Sequence, residues 1–263
     1  MIATIRAEWV RLTRRRTVIG TGLVALLFGV AGPLIVLAAA EPAKPGPVGA
    51  LSPTLESLSG SGGGTEIFRF ATAFGGTLVF VLFTALFAAE FSRGTYRTML
   101  LRQPHRPALL AGKLVAFLGF AAIVLAALEI VMWITAALLA SGFDVSTSSW
   151  TGADALVSAI GDYAMALLWV TGYATFGMAI AVTLRSVPVA LAVGIAWAGP
   201  FEHLISDAWE PARRWFPGLL LEVVGSGGID EVSAGRAIAT VAAYAAVAAA
   251  LVTVRFSRQD ITA

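Results

Sequence analysis

The most constraining feature of this sequence is a series of long apolar stretches that contain almost no charge. Only 13% of the 263 residues are charged, whereas 58% are apolar, and soluble domains carry roughly 25% charged residues. The hydrocarbon core of a bilayer is about 30 Å thick, so a helix needs about 20 apolar residues to cross it. The sequence therefore predicts an integral membrane protein.

Six stretches are predicted to be membrane-spanning helices, because continuous apolar runs of this length favour helices in lipid. We predict one all-α transmembrane domain over residues 1–263, with spans at about 17–40, 70–89, 114–142, 163–184, 186–201 and 237–254. The first stretch follows three arginines, as in a cleavable signal peptide. Its 24 residues exceed the roughly 7–15 apolar residues of such a leader, and we expect it to be retained as a span.

The basic residues predict the orientation of the chain. Six spans place both termini on the same side, and loops rich in Arg and Lys stay in the cytoplasm. We therefore expect cytoplasmic N- and C-termini in the inner (plasma) membrane of a bacterial cell. The inner segments then hold 13 of the 18 basic residues: Arg6, Arg11, Arg14, Arg15, Arg16, Arg93, Arg97, Arg102, Arg106, Lys113, Arg185, Arg255 and Arg258.

Three segments between the spans have distinct patterns. Residues 2–16 predict an amphipathic helix in the plane of the membrane interface, with a basic opposite face that also fixes topology. Residues 41–69, rich in Pro and Gly, predict a flexible connector. Residues 202–235 are apolar but interrupted by prolines, and they predict short re-entrant helices before the last span. The apolar face of the first segment consists of Ile2, Ile5, Trp9 and Leu12.

The segment after the second predicted span carries the most specific pattern. Glu90 is followed four and five residues later by Gly94 and Thr95. A cap at Ser92 or Thr95 would begin a short helix, and Pro104 would end it. Together with Leu100, Pro104, Arg106 and Lys113, this order of residues resembles the permease subunits of type-2 ABC exporters.

The resemblance implies a half-transporter. Two permease chains, identical or related, would pair with two ABC ATPase chains, and a cytoplasmic coupling helix would dock on the ATPase. ATP and Mg²⁺ would bind to that partner. This chain contains no Gly-x-x-x-x-Gly-Lys-Ser/Thr sequence for binding nucleotide phosphates itself. The residues that the resemblance assigns to coupling are Glu90, Gly94, Thr95, Tyr96, Arg97, Leu100, Arg102, Pro104 and Arg106.

Three polar residues at or near membrane depth are candidates for a pathway or gate. Glu129 lies within the third predicted span, while Glu202 and His203 follow the fifth. A carboxylate in lipid should face the bundle or be paired, so each residue has a functional and a purely structural interpretation. An alternative function is therefore a proton-coupled secondary transporter that uses Glu129, although the two halves of the sequence show no convincing repeat.

Other function classes lack support in the sequence. There is no cysteine and there are only two histidines, and neither a metal-binding spacing nor a catalytic set of side chains is recognisable. We expect no enzymatic activity, cofactor, metal or nucleic-acid partner in this chain, whose partners would be proteins and membrane lipids. The transported substrate, the direction of transport, and the choice between homodimer and heterodimer stay open.

Overall fold

The computed structural model describes residues 1–40, 42, 53–102, 105–197, 201–229 and 231–258. These residues form α-helices, two 3-10 turns (Ala140–Phe143 and Glu210–Arg214) and one antiparallel pairing of Gly228–Ile229 with Val232–Ser233. The helices are α1 (Ile2–Leu12), α2 (Arg15–Ala39), α3 (Leu55–Leu58), α4 (Gly63–Phe74), α5 (Gly76–Ser92), α6 (Thr95–Arg102), α7 (Arg106–Leu139), α8 (Ala153–Leu184), α9 (Val187–Ala196), α10 (Glu202–Ala208), α11 (Pro217–Gly225) and α12 (Ala234–Arg258).

Four of these helices are long and apolar enough to cross a membrane: α2, α7, α8 and α12. The prediction of an all-α membrane protein is confirmed. The other two predicted spans correspond to shorter apolar helices, which cover Leu78–Ser92 and Val187–Ala196. The count of six spans, the in-plane position of α1 and the re-entrance of α10 and α11 stay predictions.

The second predicted span differs from the structure in its continuity. Instead of one helix over 70–89, α4 ends at Phe74 and α5 begins at Gly76. At Gly75 the backbone N–H bonds to the carbonyl of Thr72, three residues back. This tighter turn interrupts the α-helical ladder, so an apolar composition alone was a poor guide to the helix boundary.

The connector predicted at 41–69 is helical over much of its second half. Thr54 caps α3 by accepting a hydrogen bond from the backbone N–H of Ser57 at 3.1 Å, and α4 begins at Gly63. The prediction of a flexible connector is therefore wrong for this part, because capping side chains and glycines there begin helices. Positions 41 and 43–52 lie outside the described residues.

Helix α8 is the centre of the bundle. In the most apolar part of α8, 61% of the segment is buried inside the protein. The corresponding buried share is 28% for α2 and 17% for both α7 and α12. At Gly177 a Cβ atom would lie 2.8 Å from the hydroxyl oxygen of Thr84 and 3.1 Å from its backbone nitrogen. This glycine therefore lets α5 and α8 pack backbone against backbone, while the other long helices present apolar surface outward.

Helix α1 buries a mixed polar and apolar face against the bundle. Its buried residues are Thr4, Glu8 and Leu12, whereas Ile2 is 67% exposed. Helix α1 packs on α7, where Thr4 approaches Gly112 so closely that a Cβ at 112 would lie 2.9 Å from the Thr4 Cβ. Glu8 can be buried on this face because it finds cationic partners there.

Candidate functional site

The corner between α5 and α6 explains the spacing of the glutamate, glycine and threonine. After α5 ends, the chain turns at Gly94, whose φ is +65°, a left-handed conformation that favours glycine. The Thr95 hydroxyl then donates a hydrogen bond to the Glu90 carbonyl oxygen at 2.9 Å. This bond closes the corner, and α6 begins at Thr95, one of the two residues at which the sequence predicted a cap.

Aromatic packing holds the first turn of α6 against the bundle. The Tyr96 ring stacks on Phe91, with centroids 4.1 Å apart, and meets Phe256 of α12 edge-on at 5.6 Å. Tyr96 is only 1% exposed. Burial, and secondarily the charge of Glu90, hold the pKa of the Tyr96 phenol well above its usual range, so the ring stays neutral.

Four charged side chains form a closed cluster beside this corner, which we call the charge ring: Glu8, Lys113, Glu90 and Arg11. The Lys113 ammonium is fully buried, pairs with Glu8 and lies 2.8 Å from Glu90 Oε2. The Arg11 guanidinium lies 2.6 Å from Glu90 Oε1 and 2.9 Å from Glu8 Oε2. Positive and negative groups alternate around the ring, whose formal charge is zero.

The charge ring ties three helices together. Burying a charge without a partner costs several kcal/mol, roughly, so buried charges in proteins are paired. Here Glu8 and Arg11 come from α1, Glu90 from α5 and Lys113 from α7. Removing α5 or α7 would leave an unbalanced buried charge, and removing α1 would take one partner from both Glu90 and Lys113, so the ring fixes the three helices to one another.

Helix α12 joins the same junction at its C-terminal end. The Arg106 guanidinium, at the start of α7, donates a hydrogen bond to the Phe256 carbonyl oxygen at 2.9 Å. Phe256 is fully buried and packs on Phe91 as well as Tyr96. Helices α1, α5, α7 and α12 thus meet where α6 begins.

The structure brings together the predicted coupling residues whose side chains it describes. Glu90, Gly94, Thr95 and Tyr96 form the corner, and Leu100 is partly buried against the core. Its neighbour Leu101 is 84% exposed. Arg97 and Arg102 belong to α6, but the structure does not describe their side chains. Pro104 lies outside the described residues.

The sequence does not predict the ionic role of two members of the charge ring. Lys113 is one of the inner basic residues and belongs to the pattern that carries the resemblance, but a buried ion pair is predicted neither for it nor for Glu8. A signal for Glu8 was present, because it is the single acidic residue among the first sixteen and follows Thr4 by one helical turn. Its partners on α5 and α7 are distant in the sequence and could not be found by local pattern.

Glu202 and His203 connect α10 to α11. Glu202 is 1% exposed and accepts a hydrogen bond from the backbone N–H of Leu219, near the start of α11, at 2.8 Å. His203 Nε2 lies 3.2 Å from Glu222 Oε1. Burial raises the pKa of the Glu202 carboxyl, an effect that the Leu219 N–H opposes. These contacts hold α10 and α11 together. Glu129, the third candidate for a pathway or gate, lies on α7 and takes no part in them.

The long apolar helices and their lipid-compatible surfaces define this chain as an all-α membrane protein. Among the described residues, no three His, Asp or Glu side chains are grouped closely enough to hold a metal ion. Residues 57–262 match the DUF2705 family, a protein family of unknown function, and the chain belongs to that family. No curated protein matches the chain.

Proposed function

We propose that this chain is the transmembrane permease subunit of an ATP-driven ABC exporter. Two such chains, identical or related, form the substrate pathway as a half-transporter pair. Helix α6 is the coupling helix and docks on a separate ATPase subunit that binds ATP and Mg²⁺. In this proposal α6 and both termini face the cytoplasm of a bacterial cell, and the long helices cross its plasma membrane.

The observation that carries the proposal is the way α6 is mounted on the bundle. A loop whose only role is to set topology needs positive charge but no buried ionic cluster. The α5–α6 corner instead rests on the charge ring and on the Phe91–Tyr96–Phe256 packing. A force applied to α6 would therefore reach α1, α5, α7 and α12 together, which a coupling element requires.

The exposed side of α6 has a chemistry suited to a protein partner. Leu101 is 84% exposed, and the neighbouring Arg93 and His105 are also exposed. An exposed apolar side chain on a segment that carries arginines fits a cleft with an acidic rim. The same basic groups also fit anionic lipid head groups, and the proposal leaves both contacts open for the arginines.

The direct test is co-expression with an ABC ATPase, whose gene we expect beside that of this chain. We expect the two proteins to co-purify from membranes and to transport cargo only while ATP is hydrolysed. Replacing the catalytic carboxylate of the ATPase should stop transport while leaving the complex assembled. Transport that continues with the inactive ATPase would contradict the proposal.

A proton-coupled carrier is the second candidate, and one observation favours it. Oxygen Oε1 of Glu129 is buried and has no hydrogen-bond partner among the described residues, as expected for a carboxyl that exchanges protons. The two mechanisms differ in their energy source. A protonophore should abolish transport by a proton-coupled carrier at constant ATP, whereas the exporter should continue.

A further inference from the structure

A cavity lies far along α7 from the charge ring. Glu129, on its wall, is 16 residues after Lys113, about 24 Å along the helix at roughly 1.5 Å per residue. The cavity measures about 320 Å³ and lies among α4, α7, the start of α8 and the loop before it. That volume is at the lower end of ligand pockets, which span roughly 300–1,000 Å³. Its polar and aromatic lining includes Ser61, Thr65, Glu129, Trp133 and Trp150.

Two tryptophans converge on the cavity over a glycine. At Gly64 a Cβ atom would lie 2.7 Å from Trp133 Cδ1 and 2.9 Å from Trp150 Cε3, so no larger residue fits there without displacing an indole. The Trp150 indole N–H donates a hydrogen bond to the Leu58 carbonyl oxygen at 2.8 Å, which fixes that ring. Indole faces attract cations, more strongly where water is excluded.

The charges around the cavity favour a positive ligand. The Arg69 guanidinium pairs with two carboxylates. It lies 3.3 Å from Glu66 Oε1 and 3.4 Å from Asp162 Oδ1. Asp162 is also close enough for its charge to act on Glu129. The Arg69 guanidinium is thus occupied by two carboxylates, whereas Glu129 Oε1, on the cavity wall, accepts no hydrogen bond from any described residue.

The rim of the cavity is apolar and exposed. Ile130 of α7 and Leu156 of α8 line it, and they are 61% and 62% exposed. Since both helices are long enough to cross a membrane, these side chains face lipid acyl chains or a second apolar surface. A ligand entering here would need an apolar portion outside and a compact cationic group inside.

We propose that this cavity binds the ammonium head group of a cationic amphiphile that enters between α7 and α8. Glu129 pairs with the ammonium, Trp133 and Trp150 contact it through their rings, and the alkyl chain lies over Ile130 and Leu156. The inference does not depend on the ATPase partnership. The ammonium can come from a membrane lipid or from an added amphiphile, and the experiment separates these sources.

The test uses the full chain purified in dodecyl maltoside, a neutral detergent, and titrated with decyltrimethylammonium. We expect saturable quenching of tryptophan fluorescence and no comparable quenching by decanol. Glu129→Gln should weaken binding by about tenfold or more, the ratio given by the loss of one charge-assisted contact. The matched control is Asp144→Asn, because Asp144 is exposed and has a positive φ that asparagine tolerates.

A second variant keeps the carboxylate and fills the space. Ala159 lines the cavity and is partly exposed. Ala159→Phe should therefore fold but abolish binding, because the ring occupies the cavity. This variant tests the proposal independently if Glu129→Gln fails to fold. Equal affinity of Glu129→Gln and wild type, equal binding of decanol, or unchanged binding by Ala159→Phe would overturn the proposal. Competition by added phosphatidylethanolamine would identify a lipid as the source of the ammonium, and lack of competition an added amphiphile.

Discussion

At the residue scale, Lys113 is the side chain on which the end of the bundle near α6 depends most. Its ammonium is fully buried between the carboxylates of Glu8 and Glu90. Taking an ammonium out of water is costly unless the geometry of its partners is favourable. The lysine therefore stabilises the junction only while α1 and α5 both supply their carboxylates.

Replacing this lysine should destabilise the protein strongly. Lys113→Met keeps the length of the side chain but leaves two buried carboxylates with only Arg11 between them. Breaking a buried pair in this way costs about 3–5 kcal/mol, and we expect a clearly lower thermal unfolding midpoint in detergent. Arg6→Met is the control, because Arg6 is exposed on the same helix as Glu8. A Lys113→Met variant that unfolds with the wild-type midpoint would disprove the role of the charge ring.

At the element scale, the α5–α6 corner depends on backbone conformation. Gly94 has a φ of +65°, and a Cβ added there would meet no atom within 4 Å. A substitution at this position therefore tests conformational strain with no steric contribution from neighbours. The left-handed conformation costs L-residues about 1–2 kcal/mol and is least compatible with β-branched ones.

Gly94→Val should consequently impair the corner, while Gly94→Asn should be tolerated. Gly20→Val is the matched control, because a Cβ at Gly20 also meets open space but the residue lies within α2. We expect hydrogen exchange in residues 90–102 to rise only in Gly94→Val. Equal exchange in the two valine variants would show that the turn does not require glycine.

The start of α6 could be predicted from the sequence, but its mounting could not. The Glu–Gly–Thr spacing and the capping preferences of Ser92 and Thr95 are local, and they predict that a short helix begins near these two residues. The partners of Glu90 are Arg11, 79 residues away, and Lys113, 23 residues away. Contacts across such distances depend on how whole helices pack, which no local pattern encodes.

At the scale of the whole molecule, apolar composition predicted the membrane class but not the shape of each helix. Apolar runs mark where lipid contact is possible, and helices extend beyond them where polar residues find partners. Helix α7 begins at Arg106 rather than at 114, because Arg106 and Lys113 are bonded within the bundle. Conversely, the run at 70–89 is divided at Gly75 by a turn that its composition does not reveal.

The proposed orientation predicts that α6 and the loop before α8 lie on opposite sides of the membrane. The chain has no cysteine, so an introduced one is unique. A membrane-impermeant maleimide should label Ser148→Cys in intact cells, since Ser148 is exposed before α8. It should label Leu101→Cys only after the cells are permeabilised. The reverse pattern would place α6 outside the cell and remove it from any ATP-driven mechanism.

Cross-linking through Leu101→Cys tests the central claim most directly. In membranes that contain the co-expressed ATPase, a photoactivatable group attached at this 84% exposed position should cross-link to that nucleotide-hydrolysing subunit, and the yield should change when ATP is added. The same group at Ser148→Cys should not cross-link to that subunit. If Leu101→Cys reacts only with lipid while Ser148→Cys gives the same background, α6 does not dock on an ATPase and the proposed coupling role is wrong.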